Sequence, residues 1–232
     1  MKTKTIPNTP NVVMVSIWKD DTQRRLEERV EHLLAKSYPK LRFVWVVGDS
    51  SDGTEDYLRS VAAQDKRATV LRHDTNIAGD DPDTRLERMS LTINAGFQTF
   101  RKTDKYAVIH ESDLVSPVDV VEQFIATGKE VVGGFVWLGN IFYDTYAYRK
   151  NGRRFDNHAP FHPEFDMNSL NELDCIGSCW MFPTAAKISC LKYGVIELCG
   201  QLKEKDYSIW CDPRIRIEQP VDLWTSRSHA NA

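Results

Sequence analysis

The sequence predicts an α/β fold: a doubly wound, mostly parallel sheet flanked by helices, with a smaller lobe in its second half. Three observations carry this. Apolar runs rich in β-branched residues, among them NVVMVSIW (11–18) and LRFVWVV (41–47), suit strands covered on both faces. Segments with helical apolar spacing separate them. The order strand, helix, strand, helix, strand over residues 11–74 implies parallel pairing through right-handed crossovers.

After the first strand, DDTQRRLEERVEHLLAKSY places Leu26, Val30, Leu33 and Leu34 on one helical stripe. After LRFVWVV comes GDSSDGT, then a helix over EDYLRSVAAQ, with Ser51 or Asp52 as its N-cap. ATVLRHD (68–74) is the third strand. Asp81 and Pro82 open the next helix, whose apolar stripe is Leu86, Met89, Ile93, Phe97 and Phe100. KYAVIHESD is the fourth strand, VDVVEQFIATG a helix closed by Gly128, and EVVGGFVWL (130–138) the fifth strand. Residues 139–171 are irregular and aromatic, which marks a functional segment rather than a disordered one. ELDCIGSCWMF returns to strand character. PTAAKISCLKYG reads as a short helix with Gly194 past its end, QLKEKDYSIWC as a last helix and PRIRIEQP as a last strand.

The chain has 232 residues, 41% of them apolar, enough for one substantial core. A net charge of −3 argues against a large phosphate-neutralising footprint for nucleic acid. Five cysteines, Cys175, Cys179, Cys190, Cys199 and Cys211, do not form a secreted disulfide pattern; reduced, buried thiols are expected. The opening MKTKTIPNTP has no apolar signal core, and no stretch approaches the roughly 20 apolar residues of a membrane span. A cytosolic (cytoplasmic) protein is the expectation.

Ligands of doubly wound sheets bind beyond the carboxyl ends of the strands. There the fourth strand finishes on Glu111-Ser112-Asp113. Carboxylates at i and i+2 point to one side and can converge on one hard cation, Mn²⁺ or Mg²⁺, which bridges to phosphates. The same acids could instead cap the helix near Pro117. His158-x3-His162 with Glu164 has metal-ligand spacing, but Pro160 and Pro163 forbid a regular helix there. The aromatics Phe142, Tyr143, Tyr146, Tyr148, Phe155 and Phe161 could form a ligand-stacking wall or a lid, or equally the core of the second lobe. YRKNGRR (148–154) is the one dense basic patch.

In these segments the chain resembles nucleotide-sugar glycosyltransferases of the GT-A fold, most like family 2. VVMVSIW followed by a charged helix, VVGDSSDGTEDYL beside the family's VDDGSxDGT, TNIAG…INAGF and YAVIHESDLVSP occur in the family's order. The resemblance implies a single domain over 1–232. About 11–116 would bind the nucleotide sugar and about 117–232 the acceptor. Ser16, Ile17 and Trp18 would contact the nucleotide, and Asp49 would read a uracil or guanine. Asn94 and Gly96 would shape the helix beside the diphosphate. Glu111 and Ser112 would lie near the ribose and metal, with Asp113 the principal metal ligand. Glu111 stands where the family has Asp. Ile93 stands where it has Arg, so Arg85 and Arg88 are the substitutes for the diphosphate contact.

LDCIGSCWMF is similar to the acceptor-lining segment, which puts Gly177, Ser178 and Trp180 there. LKEKDYSIW resembles the segment that carries the catalytic base: Asp206, with Glu204 as rival. The implied reaction moves a sugar from a UDP- or GDP-linked donor to an acceptor hydroxyl, metal-dependent and inverting. The acceptor could be a glycan, lipid-linked sugar, protein or small molecule; the charge disfavours a modified nucleic acid. A nucleotidyltransferase would carry a Gly-rich loop after the first strand, where this chain reads SIWKDDTQRR. A noncatalytic nucleotide- or sugar-binding module on the same fold is the other reading.

Overall fold

Four strands, Asn11–Trp18 (β1), Leu41–Val47 (β2), Ala68–Arg72 (β3) and Asp104–His110 (β4), lie parallel in the order β3-β2-β1-β4. The structure is a computed structural model that describes residues 9–222 except 23, 24, 80 and 193. The polar opening segment, up to residue 8, lies outside the described residues.

Alternation along β1 divides the core in two. Val12, Met14 and Trp18 face the helices Leu26–Leu34 (α1), Thr54–Ala62 (α2) and Val120–Ala126 (α4), where Val30, Leu33, Leu58 and Phe124 meet them. Val13 and Val15 face the helix Pro82–Phe97 (α3) through Ile93 and Ala95. A methyl group on Gly96 would stand 2.6 Å from Val15 Cγ1, so this glycine is what lets α3 lie close on β1.

The second half extends the same sheet. Its strands are Val131–Leu138 (β5), Ile141–Phe142 (β6), Asn171–Leu173 (β9), Cys179–Pro183 (β10) and Ile209–Glu218 (β11). Strand β10 runs antiparallel between β4 and β5, β11 is parallel to β5, and β9 closes the edge. Arg149–Lys150 (β7) and Arg153–Arg154 (β8) form a separate hairpin. The α/β class and the mostly parallel, helix-flanked sheet are as expected.

Several local expectations are corrected. The N-cap of α2 is Gly53 at φ 89°, not Ser51 or Asp52. Gly194 does not end a helix; it precedes the helix Val195–Glu204 (α5). That helix lies upstream of its expected place because Leu198, Cys199 and Leu202 share a buried stripe, whereas Ile209 and Cys211 alternate into the sheet as β11. In the irregular segment, Phe142, Tyr148, Phe155 and Phe161 pack with Phe135 in the core; Tyr146 is exposed. All five cysteines are free and buried. Burial raises Cys179 to about 12 and Cys190 to about 11.

Candidate functional site

The carboxyl end of β4 stands at the centre of the sheet, with β1 on one side and β10 on the other. The chain leaves it as a tight turn, Glu111-Ser112-Asp113, in which Glu111 is half-buried and Asp113 is 1% exposed. Both acids therefore sit at the strand end, and neither caps α4, which starts only at Val120.

The backbone from Glu111 to Ser116 is held group by group. Glu111 N donates to Ser178 O at 3.1 Å, and Leu114 N to Glu111 O at 3.2 Å. Arg29 Nε donates to Ser112 O at 2.8 Å, and its Nη2 to Ser112 Oγ at 2.8 Å. Gln219 Nε2 donates to Asp113 O at 3.3 Å. Val115 and Glu218 exchange both backbone bonds, at 2.8 and 2.7 Å. Ser116 N donates to His32 Nε2 at 2.9 Å, and Lys36 Nζ to Ser116 O at 3.0 Å. Beneath the turn, His110 is fully buried, with Nδ1 2.9 Å from Glu111 O and Nε2 2.9 Å from Ser116 Oγ. Desolvation, with Lys36 and His32 nearby, lowers His110 to about 3; desolvation and Lys36 lower His32 to about 4. Both rings are thus neutral at pH 7.

The ends of β2 and β3 are joined through Asp49, whose backbone is left-handed at φ 50°. Its carboxylate accepts from Thr75 Oγ1 at 2.6 Å, Thr75 N at 2.9 Å and Asn76 N at 3.3 Å. Desolvation works against the charge, but these bonds outweigh it and hold the Asp49 pKa below the usual carboxylate range. On the other flank, Ser178 sits at φ 63° inside a γ-turn closed by Cys179 N to Gly177 O at 2.7 Å. Ser178 Oγ donates to the buried Asp144 at 2.8 Å, and desolvation raises the Asp144 pKa.

Other candidates fall as follows. Ser16 and Trp18 are buried on the α1 face of β1, and Ile17 is half-buried on the α3 face. Arg85 is exposed near the start of α3. Arg88 braces the preceding loop by donating to Ile77 O at 3.1 Å and to Gly79 O. The Asn94 amide pairs with both backbone groups of Cys190, each at 2.6 Å, which ties α3 to the segment after β10. Trp180 is fully buried against Phe182.

The structure does not bring Asp206 and Glu204 to this end. Asp206 precedes the first residue of β11, whereas the turn touches the last, Glu218. The paired length between them, Val131 to Trp137 on β5, is roughly 20 Å at about 3.3 Å per residue. Asp206 and Glu204 therefore lie at the opposite end of the sheet from the Glu111–Asp113 turn. The His158–His162 spacing fails as a metal site: His158 is exposed, while His162 is buried and stacked on Phe155.

Sequence reasoning missed Arg29, His32, Lys36 and Asp21. A signal was present for three of them: Arg29, His32 and Lys36 recur at i, i+3 and i+7 beside the apolar stripe of α1.

A parallel block β3-β2-β1-β4, an antiparallel strand inserted beyond it, and an acid-x-acid turn where they meet define a glycosyltransferase-like fold. The particular likeness is to a mannosyltransferase from Pyrobaculum calidifontis, solved with GDP-mannose and Mn²⁺, at a TM-score of 0.59 and 14% identity. The match covers 91% of this chain and 57% of that one, so the chain spans little more than half of its structural neighbour. At that identity the likeness is one of fold. No protein-family model matches the chain, and no curated protein matches it in sequence.

Proposed function

We propose that this protein is a nucleotide-sugar glycosyltransferase that moves a sugar from a UDP- or GDP-linked donor to an acceptor hydroxyl. The observation that carries this is the Glu111-Ser112-Asp113 turn, fixed at the central strand end of a glycosyltransferase-like sheet. Residues from about 11 to 116 form the donor half, and about 117 to 232 the acceptor half.

Among the described residues, no three or more His, Cys, Asp or Glu converge as a metal cage. A Mg²⁺- or Mn²⁺-type cation needs only one or two carboxylates when phosphates and water supply the rest. Asp113 and Glu111 fit that partial donor set. When bound, such a cation would neutralise charge developing on the leaving diphosphate. Asp49, ionised and rigidly held, suits a fixed hydrogen-bond acceptor for a base edge. Ser178 O fixes the Glu111 amide, which orients the first carboxylate. Gly177 and Ser178 form the wall facing the acceptor. No helix among the described residues is long and apolar enough to cross a membrane.

The test is a thermal shift of the whole chain with UDP, GDP, CDP and dTDP, each with and without Mn²⁺. A ligand that binds only the folded state raises Tm by mass action. A Mn²⁺-dependent rise with GDP or UDP supports the proposal. A well-folded sample that responds to none of the four overturns it.

A further inference from the structure

Helix α1 and the turn that follows it pose a physical problem. Arg29 is 4% exposed and Lys36 is 3% exposed, and burying two cations is costly unless their geometry is used. Apolar side chains in their place would suit the core at least as well on stability grounds. Arg29 Nη1 is neutralised by Asp21 at 2.9 Å, and its guanidinium lies 4.9 Å from the Trp18 ring centre. Its Nε and Nη2 donate to Ser112, the residue between the two acids. Lys36 Nζ reaches His32 Nε2 at 2.8 Å and Ser116 O, and His32 in turn receives the Ser116 amide. The helix and the residue just past its C-cap thus grip both ends of a single loop.

We propose that Arg29 and His32 on α1, with Lys36 just past its C-cap, are positioning residues: a polar set that fixes the orientation of the Glu111 and Asp113 carboxylates toward a metal-diphosphate. The inference rests on the donor-site reading above. The set fixes the peptide groups that carry these carboxylates, so they meet their ligand already aligned. Partners of this indirect kind typically change metal affinity or activity about 10–100-fold when removed.

The experiment compares Arg29→Lys, Lys36→Met and Lys36→Gln with Arg42→Lys. Arg42 pairs with Asp104 where β2 and β4 begin, at the opposite end of the sheet, and serves as a control for general loss of stability. Two readouts are taken: the affinity for GDP with Mn²⁺ by titration calorimetry, and amide hydrogen exchange of the segment 109–118 in the metal-free protein. Arg29→Lys keeps the charge but loses the planar fork on Ser112. Lys36→Gln keeps a donor for Ser116 O, and Lys36→Met does not. The expected result is about 10–100-fold weaker binding and faster exchange of 109–118 in Arg29→Lys and Lys36→Met. Lys36→Gln should recover most of both, and Arg42→Lys should alter neither.

Unchanged exchange and affinity in Arg29→Lys and Lys36→Met would overturn the proposal. So would equal losses in Arg42→Lys. If Arg29→Lys does not fold, the Lys36 pair decides alone. If the wild type binds neither GDP nor UDP, the donor-site reading fails, and the exchange data still show whether the set orders the loop.

Discussion

The two ends of the sheet carry similar residue types and use them in opposite ways. At the carboxyl end, Arg29 and Lys36 are withdrawn from solvent and His32 is half-buried, and each is committed to a named backbone atom of one loop. At the amino end, a cleft of about 570 Å³ is lined by Lys150, Glu164, Glu172, Asp174, Lys203 and Asp206. There the charges are surface groups; Lys203 meets Asp174 at 2.8 Å with half of its side chain exposed. Exposed pairs of this kind contribute about 0–1 kcal/mol, because water and entropy offset the attraction. A buried donor committed to one acceptor is costly to remove. The abundance of charge at a site therefore says little about function; its withdrawal from water says more.

Four substitutions sharpen that contrast. The largest effect is expected for Asp113→Ala. It should weaken GDP–Mn²⁺ binding by about 100-fold or more, since a direct ligand matters more than its 10–100-fold supports. Calorimetry measures it, and an unchanged affinity would break the contrast at its centre.

Next comes Gly177→Ala, where the new methyl would stand 2.4 Å from Asp144 Oδ2 and 2.7 Å from Ala147 Cβ. Overpacking of this kind costs about 1–3 kcal/mol. Urea unfolding should register that loss, with weaker nucleotide binding because Ser178 then shifts beneath Glu111.

A smaller effect concerns pH. The His32 pKa is lowered on folding from 6.5 to about 4 by desolvation and Lys36, with Glu28 and the Ser116 amide working against them. Between those values the unfolded chain binds the extra proton, so stability rises with pH there. The His32 contribution is complete above about pH 6.5 and is lost as pH falls toward 4. Wild type should lose more Tm than His32→Gln between pH 7 and pH 4.5; each kcal/mol is worth roughly 2–4 °C in a chain of this size. Parallel pH profiles would contradict the assignment.

The smallest effect is expected for Asp206→Ala. Turnover and Tm should stay near wild type, within about 0.5 kcal/mol, as for other exposed charges. A collapse of turnover with binding retained would restore the catalytic expectation and break the distinction between the two ends.

The difference in legibility follows the same physics. Strands β1 and β2 were read to the residue, because a strand buried on both faces must be apolar throughout. The Glu111–Asp113 turn was legible because a carboxylate pair has no apolar reason to end such a strand. The second half was harder. Val195, Leu198 and Leu202 have helical spacing, but the charged run that follows them drew the helix forward to Asp206. Strand β10 enters antiparallel between β4 and β5, a long-range pairing that no local period announces. Arg29 and Lys36 looked like ordinary solvated helix residues, because sequence alone does not say which charged positions the loop from another strand will cover.

The five buried cysteines have a practical consequence. Thiolate is the reactive form, and burial keeps Cys179 and Cys190 protonated far above neutral pH. An alkylating reagent should therefore modify these sulfurs only when the chain opens. In the limit where reclosing outpaces labelling, the labelling rate reports the population of open molecules. Because Cys179 pairs with His110 in the sheet while Cys190 is tied to α3 on the opposite face, the two sites report separately on the region beneath the loop and on the packing of α3. The molecule thus carries its own chemical clock for local opening, readable by mass spectrometry after alkylation without any engineered residue.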